Sequence, residues 1–93
     1  IDAREAERIG LVNQVVAPDK LMPTARELAS KLASGPSVAI GLAKGCIYNG
    51  LHMTLEQALD YEAEAACLTL QTEDQKEGTR AFREKRKAQY KGK

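Results

Sequence analysis

The chain has 93 residues, 43% of them apolar, with no Trp and a single Phe, Phe82. That length allows one small domain at most, and so short a chain buries too little surface to be more than marginally stable without a partner surface. Nothing in it approaches the ~20 consecutive apolar residues of a membrane span, and one histidine (His52) with two cysteines (Cys46 and Cys67) offers too few ligands for a metal site.

The formal net charge of +1 is unevenly distributed. Residues 1–75 carry six basic against eleven acidic side chains, a net −5, and residues 76–93 carry eight basic against two acidic, a net +6. A basic terminal segment on an acidic body is a candidate anion-binding surface, although cations near a helix C-terminus also serve the helix dipole. The first residue is Ile1, so the chain is expected to be a fragment or processed product of a longer protein. Both cysteines fall within helical apolar patterns and are expected to be buried free thiols. The expected compartment is a reducing one, the cytoplasm by default or the mitochondrial matrix in a eukaryote.

Taken in order, residues 2–9 open with Asp2 as an N-cap and end at Gly10, a short helix. Leu11–Val16 is rich in β-branched residues and too short for a helix, so it reads as an extended strand. A second helix starts at Pro18 and Asp19, with Leu21, Ala25, Leu28, Ala29 and Leu32 on one face and Pro23 in its first turn. Gly35 stops it, and Pro36 suits the first position of a third helix running to about Asn49.

Two glycines four apart in that helix, Gly41 and Gly45, each cost up to ~1 kcal/mol relative to Ala, and close approach by another backbone is the expected return. Thr54 with Gln57 makes a capping box for a fourth helix, on which Leu55, Leu59, Glu62, Ala66 and Leu70 share a face. Thr72 with Gln75 repeats the pattern for a fifth, with Asp74 near its N-terminus, Gly78 weakening it early, Ala81 and Phe82 supplying apolar contact, and a tail expected to fray from Lys87. The fold class is therefore all-α, four to five short helices with one short extended strand near the N-terminus.

No catalytic constellation follows from residue types and spacing. His52 lies in a turn without a nucleophile motif. The carboxylates of Asp60, Glu62 and Glu64 alternate on a helix, so neighbours point about 200° apart, poor geometry for a general acid–base pair. They read as a solvated acidic face, paired in part to the basic tail. No metal ligand and no catalytic residue is assigned.

Ordered motifs carry a resemblance. IDAREAERIGLVNQVV (1–16), LMPTARELASKLASGPSVAIGLAK (21–44) and the final segment from Met53 resemble successive parts of the C-terminal helical domain of the enoyl-CoA hydratase/isomerase (crotonase) family. The specific part is the last: Thr72 and Asp74, then Glu77 and Gly78, then Ala81, Phe82, Glu84, Lys85 and Arg86.

The resemblance implies a crotonase-type α/β parent that binds an acyl-CoA thioester as substrate, needs no cofactor, and hydrates a trans-2-enoyl-CoA in fatty-acid β-oxidation. Its two catalytic glutamates and its oxyanion donors would lie upstream of Ile1. Residues 1–93 would form its trimerisation and lid domain in a homotrimer or hexamer, with residues 1–17 a candidate connector to the core. One functional residue transfers: Lys85, at the position of a lysine that approaches the 3′-phosphate of CoA. In relatives a large aromatic near Ala66 can line the CoA or acyl end, and Ala66 departs from that. The competing readings are another crotonase activity such as isomerase, and a non-catalytic all-α interaction module. Nucleic acid is not an expected partner, because the tail interleaves too few aromatics for base stacking, and neither is a membrane, for want of a long apolar stretch.

Overall fold

The computed structural model describes all 93 residues, in two compact units, Ile1–Ser30 and Lys31–Lys93. Five α-helices follow one another: α1 (Ala3–Arg8), α2 (Leu21–Ala33), α3 (Ser37–Gly50), α4 (Leu55–Leu70) and α5 (Glu73–Arg83). The all-α expectation holds.

In the first unit, the Asp2 carboxylate accepts the Glu5 N–H at 2.8 Å and opens α1. Gly10, at φ 78°, closes it with the paired reverse bonds of a Schellman motif: Leu11 N–H to the Ala6 carbonyl at 2.8 Å and Gly10 N–H to the Glu7 carbonyl at 3.1 Å. The strand expected at Leu11–Val16 does not form. A strand needs a neighbouring strand for its backbone groups, and the Val15 N–H is instead held by the Glu7 carboxylate at 3.0 Å. A single 3-10 turn at Pro18–Lys20 leads into α2, with Pro23 in the first turn of that helix as its missing N–H requires.

In the second unit, α3 and α4 form an antiparallel hairpin. A methyl group added at Gly45 would meet the Tyr61 hydroxyl at 3.4 Å, one added at Gly50 would meet the Ala58 Cβ at 3.8 Å, and the Asn49 amide donates to the Tyr61 hydroxyl at 3.0 Å. The backbone approach expected at the glycine pair is not seen within the chain: Gly45 meets only the Tyr61 side chain, and the space beside Gly41 is open. The full Thr54–Gln57 capping box is present, with bonds of 3.1 and 3.3 Å.

The face of α4 turned to α3 is not the leucine face. Ala58, Tyr61, Ala65 and Thr69 are the buried or half-buried positions, whereas Leu55, Leu59 and Leu70 stand exposed. Two apolar stripes compete on this helix. The small-residue one lets the helix axes approach and is used inside the chain, leaving the bulkier one outward. Cys67 goes with the outward positions: it is exposed, contrary to the expected burial, because it points about 200° away from Ala65. Cys46 is half-buried, and both thiols are free.

The core is correspondingly thin. Only Ala6, Ala65 and Ala81 are buried among the apolar residues, against seventeen large apolar side chains left exposed. A buried methyl contributes about 0.8 kcal/mol and a buried Leu roughly 1.5–3 kcal/mol, while ordering each residue costs ~1–2 kcal/mol. Leu21, Leu28 and Leu32 of α2 belong to the exposed set, so the amphipathic stripe read from sequence exists but faces outward.

Candidate functional site

The densest polar network lies on α5 and the segment after it. Thr72 caps the helix by accepting the Gln75 N–H at 3.1 Å, but the Gln75 side chain turns to the Thr79 hydroxyl at 3.2 Å, so the second capping box is only half made. Asp74, in the first turn, is 2% exposed and is the one buried charged residue. Its two carboxylate oxygens accept the N–H groups of Lys91 and Gly92 at 2.7 and 2.8 Å, and its own N–H donates to the Lys93 carbonyl at 3.0 Å.

The tail expected to fray therefore lies back along α5 as an extended strap, because hydrogen bonds to a carboxylate are roughly twice as strong as neutral ones. Gly78 makes room for it. A methyl group there would stand 3.1 Å from the Tyr90 hydroxyl, so the residue that weakens the helix is the one the strap's aromatic ring lies against. The acidic row of Asp60, Glu62 and Glu64 takes no part. The tail's ion pairs run to Glu73, Glu77 and Glu84 instead.

Glu77 is the second anchor. Its carboxylate accepts Arg86 Nη1 at 2.6 Å and Nη2 at 3.0 Å, and the Gln89 N–H at 3.0 Å. Arg86 foremost, and the Gln89 amide after it, hold the Glu77 carboxyl down at about 2. Arg86 also donates from Nε to Glu84 at 2.6 Å, and the two carboxylates push the Arg86 guanidinium pKa up.

Between these anchors α5 ends in a second Schellman motif, Lys85 N–H to the Phe82 carbonyl at 3.2 Å and Arg86 N–H to the Ala81 carbonyl at 3.0 Å. The position that glycine usually takes in this motif is Lys85, at φ 53° the single non-glycine residue with positive φ. A side chain in that region costs roughly 1–2 kcal/mol. Lys85, expected on a basic helix, thus sits two residues past the helix end at Arg83, exposed and without an ion pair. One turn back, Phe82 is 88% exposed. It makes none of the apolar packing expected of it, and composition gave no sign of this, because an apolar residue beside a buried Ala81 reads as core.

Elsewhere, an open apolar groove of about 620 Å³ runs between α3 and α4, lined by Leu42, Cys46, Ile47, Glu62, Ala66 and Leu70. Ala66 is a small residue in its wall. His52 is exposed in the α3–α4 turn, away from Lys85 in sequence and in element. The exposed ammonium of Lys85 can attract an anion. Its surroundings hold no acid–base pair.

The sequence profile of the family described as enoyl-CoA hydratase/isomerase matches residues 1–93. The chain is 43% identical over 90 residues to a crotonyl-CoA hydratase of Syntrophomonas wolfei, covering 97% of this chain and 35% of that protein. It is 49% identical over 87 residues to a short-chain-enoyl-CoA hydratase of Clostridium acetobutylicum, covering 94% and 33%. The crystal structure of an enoyl-CoA hydratase from Bacillus anthracis superposes on all of this chain and 36% of its own, with a TM-score of 0.94 at 42% identity. The chain spans about a third of the length of the relatives it matches.

Proposed function

Since the chain belongs to the enoyl-CoA hydratase/isomerase family, we propose that it is the C-terminal helical region of a crotonase-type parent that adds water to a short trans-2-enoyl-CoA. In this reading the parent's core carries the acid–base chemistry and the oxyanion donors. The 93 residues contribute active-site cover, a self-association surface for a trimer or hexamer, and one contact to CoA. The acyl-CoA is substrate, and no cofactor is required. The proposed compartment is the bacterial cytoplasm, or the mitochondrial matrix for a eukaryotic parent. No helix of the chain is long and apolar enough to cross a membrane.

The observation that carries the reading is Lys85, an exposed ammonium without an ion pair, held in a backbone conformation that disfavours it, three residues after the exposed Phe82. An ammonium is a natural point-charge partner for a phosphate, and an aromatic face stacks a base. The outward leucines of α2 and α4 support the cover and self-association role, since apolar patches of this extent mark interaction surfaces.

The test is a hydration assay with crotonyl-CoA, followed by loss of the enoyl-thioester absorbance. The full-length parent is expected to consume the substrate, and the purified 93-residue chain, free of longer species, to leave it unchanged. A parent that shifts the double bond of a 3-enoyl-CoA without hydrating would make it an isomerase. A 93-residue chain as active as the parent would overturn the assignment of the chemistry to the core.

A further inference from the structure

Asp74 holds the last residues of the strap and Glu77 holds Gln89, but Glu77 also binds Arg86, beside Lys85. Arg86 reaches back nine residues to Glu77 with both terminal nitrogens and at the same time ties Glu84 through Nε at 2.6 Å. Lys85 lies between Glu84 and Arg86 in the chain, so its left-handed turn is closed on both sides by one guanidinium. We propose that Arg86, seated on Glu77, is a positioning residue for Lys85: it fixes the turn that carries the lysine outward and occupies the carboxylates that would otherwise capture its ammonium.

Two physical needs meet in this arrangement. A lysine side chain disfavours positive φ, so the backbone at position 85 must be over-determined by its surroundings to stay there. The paired reverse hydrogen bonds of the helix end supply part of that, and the Glu84–Arg86–Glu77 chain of charged bonds locks the residues on either side. The ammonium, on a flexible four-carbon stem, would also pair with an adjacent free carboxylate. Arg86 satisfies both oxygens of Glu77 and one of Glu84, and its planar fork does this where a lysine at position 86 would leave one acid unpaired. The depressed Glu77 carboxyl accords with a committed pair. Lys85 is left open to an external anion, of which a phosphate monoester is the class that fits a point-charge donor.

This rests on the reading that Lys85 meets the 3′-phosphate of CoA, and the experiment separates the two. In the full-length parent, KM and kcat are measured with crotonyl-CoA and with the same thioester lacking the 3′-phosphate. Arg86→Gln is expected to raise KM for crotonyl-CoA roughly tenfold, the worth of one charge-assisted hydrogen bond, with kcat and the KM of the dephosphorylated thioester unchanged. Lys85→Ala should do the same, and the double variant should be no worse than Lys85→Ala alone. Glu77→Gln, which keeps an acceptor for Gln89 and removes the charge, gives the same selective rise should Arg86→Gln fail to fold.

If Arg86→Gln and Glu77→Gln weaken both thioesters equally, or add to Lys85→Ala, the pair supports the fold and does not position Lys85. If Lys85→Ala leaves the two thioesters as well discriminated as before, the phosphate contact itself is wrong, and the positioning role falls with it.

Discussion

In the α3–α4 hairpin the close contacts are made by Gly45, Gly50, Ala58 and Ala65, with one side-chain hydrogen bond between the helices, and Leu55, Leu59 and Leu68 are exposed. Around α5 almost nothing apolar is buried except Ala81, yet Asp74, Glu77 and Arg86 tie the strap to the helix by a series of charged hydrogen bonds, and no buried side-chain polar atom is left without a partner. The hairpin leaves its bulkier apolar side chains exposed, and the strap finds its polar partners within the chain. Sequence neighbours in one small unit can depend on their context to very different degrees. Under the proposed function the apolar region would gain its burial from an assembly, whereas the polar region is satisfied within the chain.

Paired substitutions in the full-length parent break or sharpen this contrast. Asp74→Ala removes a buried carboxylate that accepts two backbone N–H groups, and it is expected to lower stability by about 3 kcal/mol in chemical denaturation. Leu59, 56% exposed in this chain, is expected to cost about 2–3 kcal/mol when changed to Ala if the parent covers its face as proposed. A cost below about 0.5 kcal/mol for Leu59→Ala would mean that its face stays wet, and the hairpin would then be no more dependent on cover than the strap.

Acid separates the two regions with a smaller effect. The folded-state value of Glu77, about 2 against an ordinary 4.5, is depressed. Its contribution is therefore fully present above pH 4.5 and is lost as the pH falls through about 2. Hydrogen exchange measured across that window should show the amide of Gln89 losing protection while the amides of α4 keep theirs. Equal loss in both regions would mean that the strap opens only when the whole unit does.

Much of this was legible in the sequence, and the exceptions share a cause. Caps and breaks such as Asp2, Gly10, Thr54 and Gly35 act over a few residues, so their patterns translate directly into element boundaries. The strap does not: Glu77 and Arg86 are nine apart and Asp74 and Gly92 eighteen apart, and no periodicity links such pairs. The choice between the alanine and leucine faces of α4 was equally hidden, because both are apolar at helical spacing and only the approach of α3 decides which is used. Gly78 was a legible signal with the wrong reading. A glycine inside a helix at a cost of about 1 kcal/mol marked the seat of Tyr90. Lys85 was reached by resemblance, and its left-handed backbone by the structure alone.

That backbone yields the smallest and most discriminating expectation. A lysine at φ 53° places its Cβ against the following carbonyl, a strain that glycine does not feel. Part of the relief is returned as the greater entropy of an unfolded glycine, so Lys85→Gly should stabilise the parent by about 0.5–1 kcal/mol. Lys85→Ala keeps the Cβ, and with it the strain, and should leave stability unchanged within about 0.5 kcal/mol. Both variants lose the ammonium, so both should bind crotonyl-CoA more weakly by the same factor. Measured side by side, the glycine variant would be the more stable of the two and no better at binding. A lysine kept at a position where glycine is more stable is then explained by what it contacts outside the fold. Equal stability of the glycine and alanine variants would remove the strain from the argument and leave Lys85 as one more exposed cation on a basic tail.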